Sequence, residues 1–92
     1  MGRAFPTIMV LGDYTFRCLR GGREPEWTRV LGQASDAAAI EEARLMLISQ
    51  AALPNGSGAL AMHVGRGREE GALEWLGTWR MQAGRPQWEA EA

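Results

Sequence analysis

One segment of this sequence has the composition and the flanking signals of a long helix, and it limits the folds open to the chain. The segment 36–52 consists largely of alanine, leucine and other good helix formers. Ser35 precedes it and can act as the N-cap, because its hydroxyl accepts a hydrogen bond from a free amide of the first turn. Pro54 restricts Leu53, and the Asn-Gly-Ser-Gly that follows is typical of a loop. We therefore predict a single helix over about 36–52.

The apolar residues of this helix recur at helical spacing and define the side that should be buried. That side is formed by Ile40, Ala43, Leu47 and Ala51, and Ile48 widens it. The glutamates lie roughly opposite and should meet water. Leu45 lies on the glutamate side, where it is either an isolated exposed leucine, which is common, or part of a second contact surface. We favour the isolated leucine.

The segments outside the helix alternate between apolar and polar residues, as half-buried strands do. Strand patterns occupy 14–19, 27–31, 59–64 and 72–82, with a short edge strand at 87–89. The longest pattern should place Trp75 and Trp79 on one face, on either side of Gly77. Gly77 marks either a bulge or a place where a bulky neighbour packs onto bare backbone.

Two arrangements remain open where the apolar run 7–11 meets Gly12 and Asp13: a hairpin turn, or one long strand with a glycine bulge. In both, short connections between neighbouring strands predict a mostly antiparallel sheet of four to five strands. The helix should cover one face of this sheet, so we predict a single α+β domain over 1–92, folded as a two-layer sandwich. The residues expected to face the helix are Phe16, Met62, Trp75 and Trp79.

This order of elements resembles that of known proteins. An alternating hairpin precedes Asp-Ala-Ala-Ala-Ile-Glu-Glu-Ala-Arg at 36–44, and a later strand ends in Gly-Arg-Gly-Arg at 65–68 before a return strand. The combination is similar to small bacterial β-β-α-β-β domain families of unknown function, over about residues 14–80. The resemblance rests on patterns of hydrophobicity and small residues. It implies a fold and supplies no active site.

Net charge, cysteine content and the N-terminal residues limit the cellular compartments and binding partners that the sequence favours. The net charge of −1 creates no overall field toward nucleic acid or an acidic membrane. One cysteine excludes an intrachain disulfide, which fits a reducing compartment. Residues 1–6 lack the long apolar core of a secretory signal, and no apolar run approaches the roughly 20 residues of a membrane helix. We therefore expect a cytoplasmic protein without membrane contact.

No group of residues in the sequence has the spacing of a catalytic or metal site. Zinc needs three or four ligands and a catalytic histidine needs an orienting partner, whereas this chain has one histidine, His63, and one cysteine, Cys18. We expect His63 to be an ordinary strand residue and Cys18 a buried free thiol. The carboxylates suggest no acid/base pair. The sequence thus predicts no enzyme activity, no catalytic residues, no cofactor and no metal.

The aromatic content points to binding instead. A helix of this length extends only about 25 Å at 1.5 Å per residue, so it cannot cover both faces of the sheet. Some aromatic surface should remain exposed, and such surface marks interfaces. We predict a non-catalytic protein-binding module that occludes a partner's surface or self-associates as a homodimer; one form would be a phage- or mobile-element-encoded inhibitor of the anti-CRISPR kind. The candidate partner-binding residues are Trp27, Trp88, Arg29, Arg66 and Arg68.

An alternative function starts from the basic residues, all ten of which are arginine. Arginine suits phosphate recognition, but the absence of lysine also fits the codon usage of a GC-rich genome. A nucleic-acid surface could be formed by Arg17, Arg20, Arg23, Arg29, Arg66 and Arg68, with exposed tryptophan stacking on bases. Interleaved carboxylates such as Asp13 and Glu24 dilute the positive field, which favours the protein-binding function.

Overall fold

A computed structural model describes residues 10–21, 24–53 and 60–91. It has one helix and five strands, and so confirms the predicted α+β class. The elements in chain order are β1 (Gly12–Arg20), β2 (Trp27–Gln33), α1 (Asp36–Ala51), β3 (Leu60–Arg66), β4 (Glu74–Gln82) and β5 (Arg85–Ala90).

The five strands form one sheet in the order β2-β1-β3-β4-β5, and all neighbours are antiparallel. Because β1 lies between β2 and β3, the connection from β2 through α1 to β3 crosses over it. The helix packs chiefly on β3 and β4, near the middle of the sheet. As a result β2 is an edge strand whose helix-facing side is only partly covered.

The start of β1 excludes one of the two N-terminal arrangements. Gly12 and Asp13 are part of β1, where they pair with Gln33 and Gly32 of β2. The hairpin turn at Gly12-Asp13 is therefore wrong. The long-strand alternative depends on residues 7–9, which lie outside the described residues.

The core lies between α1 and the sheet face that it covers. The strands contribute Phe16, Cys18, Met62 and Val64, all fully buried, and the helix contributes Ala39, Ala43 and Leu47. Ile48 is 40% exposed, so its predicted place in the buried side is wrong. The buried residues of α1 recur every four positions, at Ala39, Ala43 and Leu47, and this places Ile48 outside the buried stripe. Ala51, which the pattern also assigns to the buried side, is exposed in the last turn, so that prediction is wrong as well.

A bulge in β4 reverses the faces predicted for its tryptophans. Val64 pairs with Gly77 and Gly65 pairs with Trp75, which leaves Leu76 as an extra residue. Since side chains alternate along a strand, one extra residue moves everything before it to the other face. Trp79 packs against the core as predicted, whereas Trp75 lies on the opposite face, so the expectation that both tryptophans face the helix is wrong.

Candidate protein-binding cleft

A cleft opens on the helix side of the sheet where α1 leaves the edge strand β2 uncovered. Its volume is about 250 Å³. We call it the edge cleft, and its walls are formed by Trp27, Arg29, Glu42, Leu45, Met46, Ser49 and Gln50. The cleft forms because α1 packs chiefly on β3 and β4 and not on the edge strand β2. The second half of the helix and the first residues of β2 therefore face each other across an open space.

Two of the predicted binding residues share the strand wall of this cleft. Trp27 pairs with Cys18 and Arg29 with Phe16, so both point to the helix side of β2. The Arg29 guanidinium carbon lies 4.4 Å from the centroid of the Trp27 ring, a cation–π contact that holds the two side chains together.

Arg29 differs from most other arginines of the described part of the chain, because its guanidinium has no carboxylate within ion-pairing distance there. Among the described arginines, only Arg85, on the opposite edge of the sheet, also lacks such a carboxylate. Arg29 therefore presents an uncompensated positive charge beside an indole ring in the edge cleft. A carboxylate is the natural complement of such a group.

The helix wall of the cleft is apolar at its centre. Leu45 is 49% exposed and stands next to the partly buried Met46, facing Trp27 across the cleft. Leu45 is therefore exposed, as the sequence predicts, but it lines the edge cleft together with Trp27 and Met46. The helical pattern alone does not show this, because the facing wall of the cleft comes from β2.

The outer edge of β2 carries hydrogen-bonding groups without a partner strand in the described part of the chain. β2 pairs with β1 on one side only, so alternate residues direct their N–H and C=O groups outward. This strand contains one charged residue and no proline, and Val30 at its middle is 37% exposed. The other edge strand, β5, carries Pro86 and Glu89, which protect an edge from strand addition.

Trp88 is far from this cleft, on the opposite edge strand. Its ring lies 5.2 Å from that of Trp79 and packs partly against the core. It also crosses Gly77, where a Cβ would come within 2.6 Å of the indole, so the predicted packing of a bulky neighbour on that glycine is confirmed. Trp27 and Trp88 therefore do not form one surface.

Arg66 and Arg68 lie near the turn between β3 and β4, and carboxylates surround both. Arg66 Nε donates to Asp36 Oδ1 at 3.0 Å and its Nη1 donates to Glu74 Oε2 at 3.3 Å, while Arg68 Nε donates to Asp13 Oδ2 at 2.7 Å. The hydrogen bond from Arg66, with a second from Tyr14, lowers the pKa of Asp36. These arginines tie the turn to β1 and to the start of α1.

The sheet face opposite α1 carries a stack that sequence reasoning missed. Trp75 lies on His63 with ring centroids 3.6 Å apart and planes 13° apart, and the Arg17 guanidinium is 4.7 Å from the Trp75 ring. Burial lowers the pKa of His63. The stack depends on the bulge in β4, and no local sequence pattern predicts that bulge. Because Arg17 also pairs with Glu69, the chain's own side chains cover much of this face.

Cys18 is fully buried, and burial raises the pKa of its thiol. Within residues 10–21, 24–53 and 60–91, no cluster of three or more histidine, cysteine or carboxylate side chains could hold a metal ion. No helix of that same part of the chain is long and apolar enough to cross a membrane.

Comparison with protein-family models, with curated proteins and with solved structures finds no match to this chain.

Proposed function

We propose that this chain is a non-catalytic protein-binding module that acts by occluding a surface of another protein. The edge cleft is the observation that carries the proposal. It brings Trp27, Arg29 and the exposed Leu45 together beside a strand edge that has no partner strand among the described residues. Tryptophan and arginine are the residues most often found at the energetic centres of protein interfaces, and apolar neighbours that exclude water strengthen them.

Self-association through the same cleft is the second form of this proposal. It requires no additional residues, and light scattering separates the two forms because a homodimer doubles the mass of the free protein. An inhibitor of the anti-CRISPR kind, encoded by a phage or mobile element, is a specific version of the first form. The neighbouring genes test that version. We also propose a cytoplasmic location, since Cys18 is a free thiol in the core.

Nucleic-acid binding receives less support from the arrangement of the arginines. Arg17, Arg20, Arg66 and Arg68 each contact a carboxylate, so their charge is largely compensated within the molecule. Arg23 lies outside the described residues. A phosphate-binding surface needs several uncompensated cations close together.

Affinity capture with matched variants tests the proposed function. The full chain, its Leu45→Arg variant and a Leu53→Arg control are used as bait in lysate of the source cell. Leu53 is 46% exposed but does not line the cleft, so it controls for the added charge. We expect a discrete protein that wild type and the control retain and that Leu45→Arg loses. A monomeric wild type that retains no discrete protein would contradict the proposal.

A further inference from the structure

We propose that the edge cleft binds an extended acidic segment of a partner protein, which adds to β2 as a further strand of the sheet. The inference rests on the proposed protein-binding function and specifies its mode and the chemistry of the partner. Three features of the molecule carry it: the outer edge of β2, the space beside α1, and the uncompensated charge of Arg29.

The backbone of β2 supplies the attachment. A strand placed beside β2 would lie about 4.8 Å from it and would use the N–H and C=O groups that now point outward. Within the described part of the chain β2 pairs with β1 alone, so no strand there occupies the outer edge. Edge strands that are protected against strand addition carry prolines, bulges or several charged residues. β2 has no proline and only one charged residue, Arg29, so it lacks this protection.

The edge cleft supplies room for side chains of the added strand. Alternate residues of that strand would project to the helix side, in line with Trp27 and Arg29 on β2. An apolar residue there would meet Leu45 and Met46 of α1. Main-chain bonds would give affinity, and the cleft would select the alternate side chains.

Arg29 sets the charge of the occupant. An acidic side chain on the helix side of the added strand would form a charge-assisted pair with the guanidinium, which has no carboxylate partner in the described residues. Glu42 lines the opposite wall and forms no ion pair with Arg29. Because Glu42 would repel a second carboxylate, the acidic side chain should lie beside Arg29 and the apolar side chain beside Leu45 and Met46.

A second copy of this chain fits the cleft less well. β2 contains no carboxylate, and two copies of β2 paired about a two-fold axis would bring their Arg29 side chains close together. The acidic residue of β5, Glu89, pairs with Thr78 in register and forms an ion pair with Arg80, so it points to the sheet face away from the cleft. The charges favour a segment from a different protein.

Peptide selection on the intact protein tests this inference. Random peptides of about ten residues, enough for one strand, are displayed and selected against the wild-type chain. We expect enriched peptides with alternating apolar residues and at least one Asp or Glu. Binding of a synthetic enriched peptide should shift the NMR amide signals of β2 and the methyl signals of Leu45.

Two protein variants and a modified peptide test the roles of Arg29 and of the main-chain hydrogen bonds. Arg29→Gln should weaken binding of the enriched peptide about ten-fold, whereas Arg85→Gln should leave it unchanged, since Arg85 lies on β5. N-methylation at alternate peptide residues should abolish binding, and at the intervening residues it should not. Peptides without acids, shifts confined to another surface, or equal affinity for Arg29→Gln would overturn the inference. Strong binding at another surface would leave the protein-binding function standing, so the two failures are distinguishable.

Discussion

The contact between Gly77 and β5 makes a strong prediction about stability. An added Cβ at Gly77 would lie 2.4 Å from the carbonyl oxygen of Glu89 and 2.6 Å from Cζ2 of Trp88. Ordinary van der Waals contact begins near 3.4 Å, so the backbone of β5 must retreat by about 1 Å. A flexible side chain could rotate away from the new methyl group, but the carbonyl of a paired strand cannot.

The expected loss follows from those contacts. Overpacking at a rigid site costs about 1–3 kcal/mol, and losing the contact between Trp88 and Trp79 costs about 0.5–1.5 kcal/mol more. We therefore expect Gly77→Ala to lower the free energy of unfolding by about 1.5–4.5 kcal/mol. A domain of this size has about 5–14 kcal/mol in total, so the variant should remain folded in water.

Urea unfolding followed by tryptophan fluorescence measures the change, with Gly71→Ala as the control. The nearest atom to a Cβ at Gly71 is 3.9 Å away, so that substitution should alter the free energy of unfolding by less than about 0.5 kcal/mol. Equal stability of the two variants would refute the close packing of β5 on Gly77.

The remaining predictions concern the core, the start of the helix and the buried thiol. Leu47→Ala should lower the free energy of unfolding by about 2–5 kcal/mol in the same assay, because Leu47 is fully buried, whereas Leu45→Ala should change it by less than about 1 kcal/mol. Tyr14→Phe removes a hydrogen bond to Asp36 and should raise the pKa of that carboxyl, measured by NMR titration. Since folding lowers the pKa of Asp36, its contribution to stability is present above its ordinary pKa and should fade as the pH falls through the lowered value. Cys18 should react with a thiol reagent only as fast as the protein opens, and immediate reaction would contradict its burial.

Local signals in the sequence predicted the secondary-structure elements and many of the residues that each element buries. The helix begins where Ser35 caps it, with the Ala38 amide donating to Ser35 Oγ at 3.1 Å, and it ends within one residue of the predicted position. Alternation placed Phe16 and Met62 in the core correctly. These features depend on neighbouring residues in the chain, so periodicity and capping rules suffice for them.

The features that sequence reasoning missed depend on contacts between distant segments. The order of the strands follows from pairing between β1 and β3, which no local pattern specifies. The extra residue Leu76 reversed the face of Trp75, because one inserted residue changes the alternation without changing the composition. For the candidate site, the sequence names Trp27 and Arg29 among five candidates, and the structure shows that these two share one face of β2 and are in contact. Leu45 joined them only through the packing of α1.

Hydrogen exchange on the intact protein tests the binding surface most directly. Amide exchange is measured by mass spectrometry for the free chain and for the chain bound to the protein that affinity capture retains. We predict that exchange slows in β2, where outward N–H groups would gain partners, and in the α1 segment around Leu45. Slowing confined to β5 and the face carrying Trp75, with β2 unchanged, would contradict the assignment of the edge cleft as the binding surface.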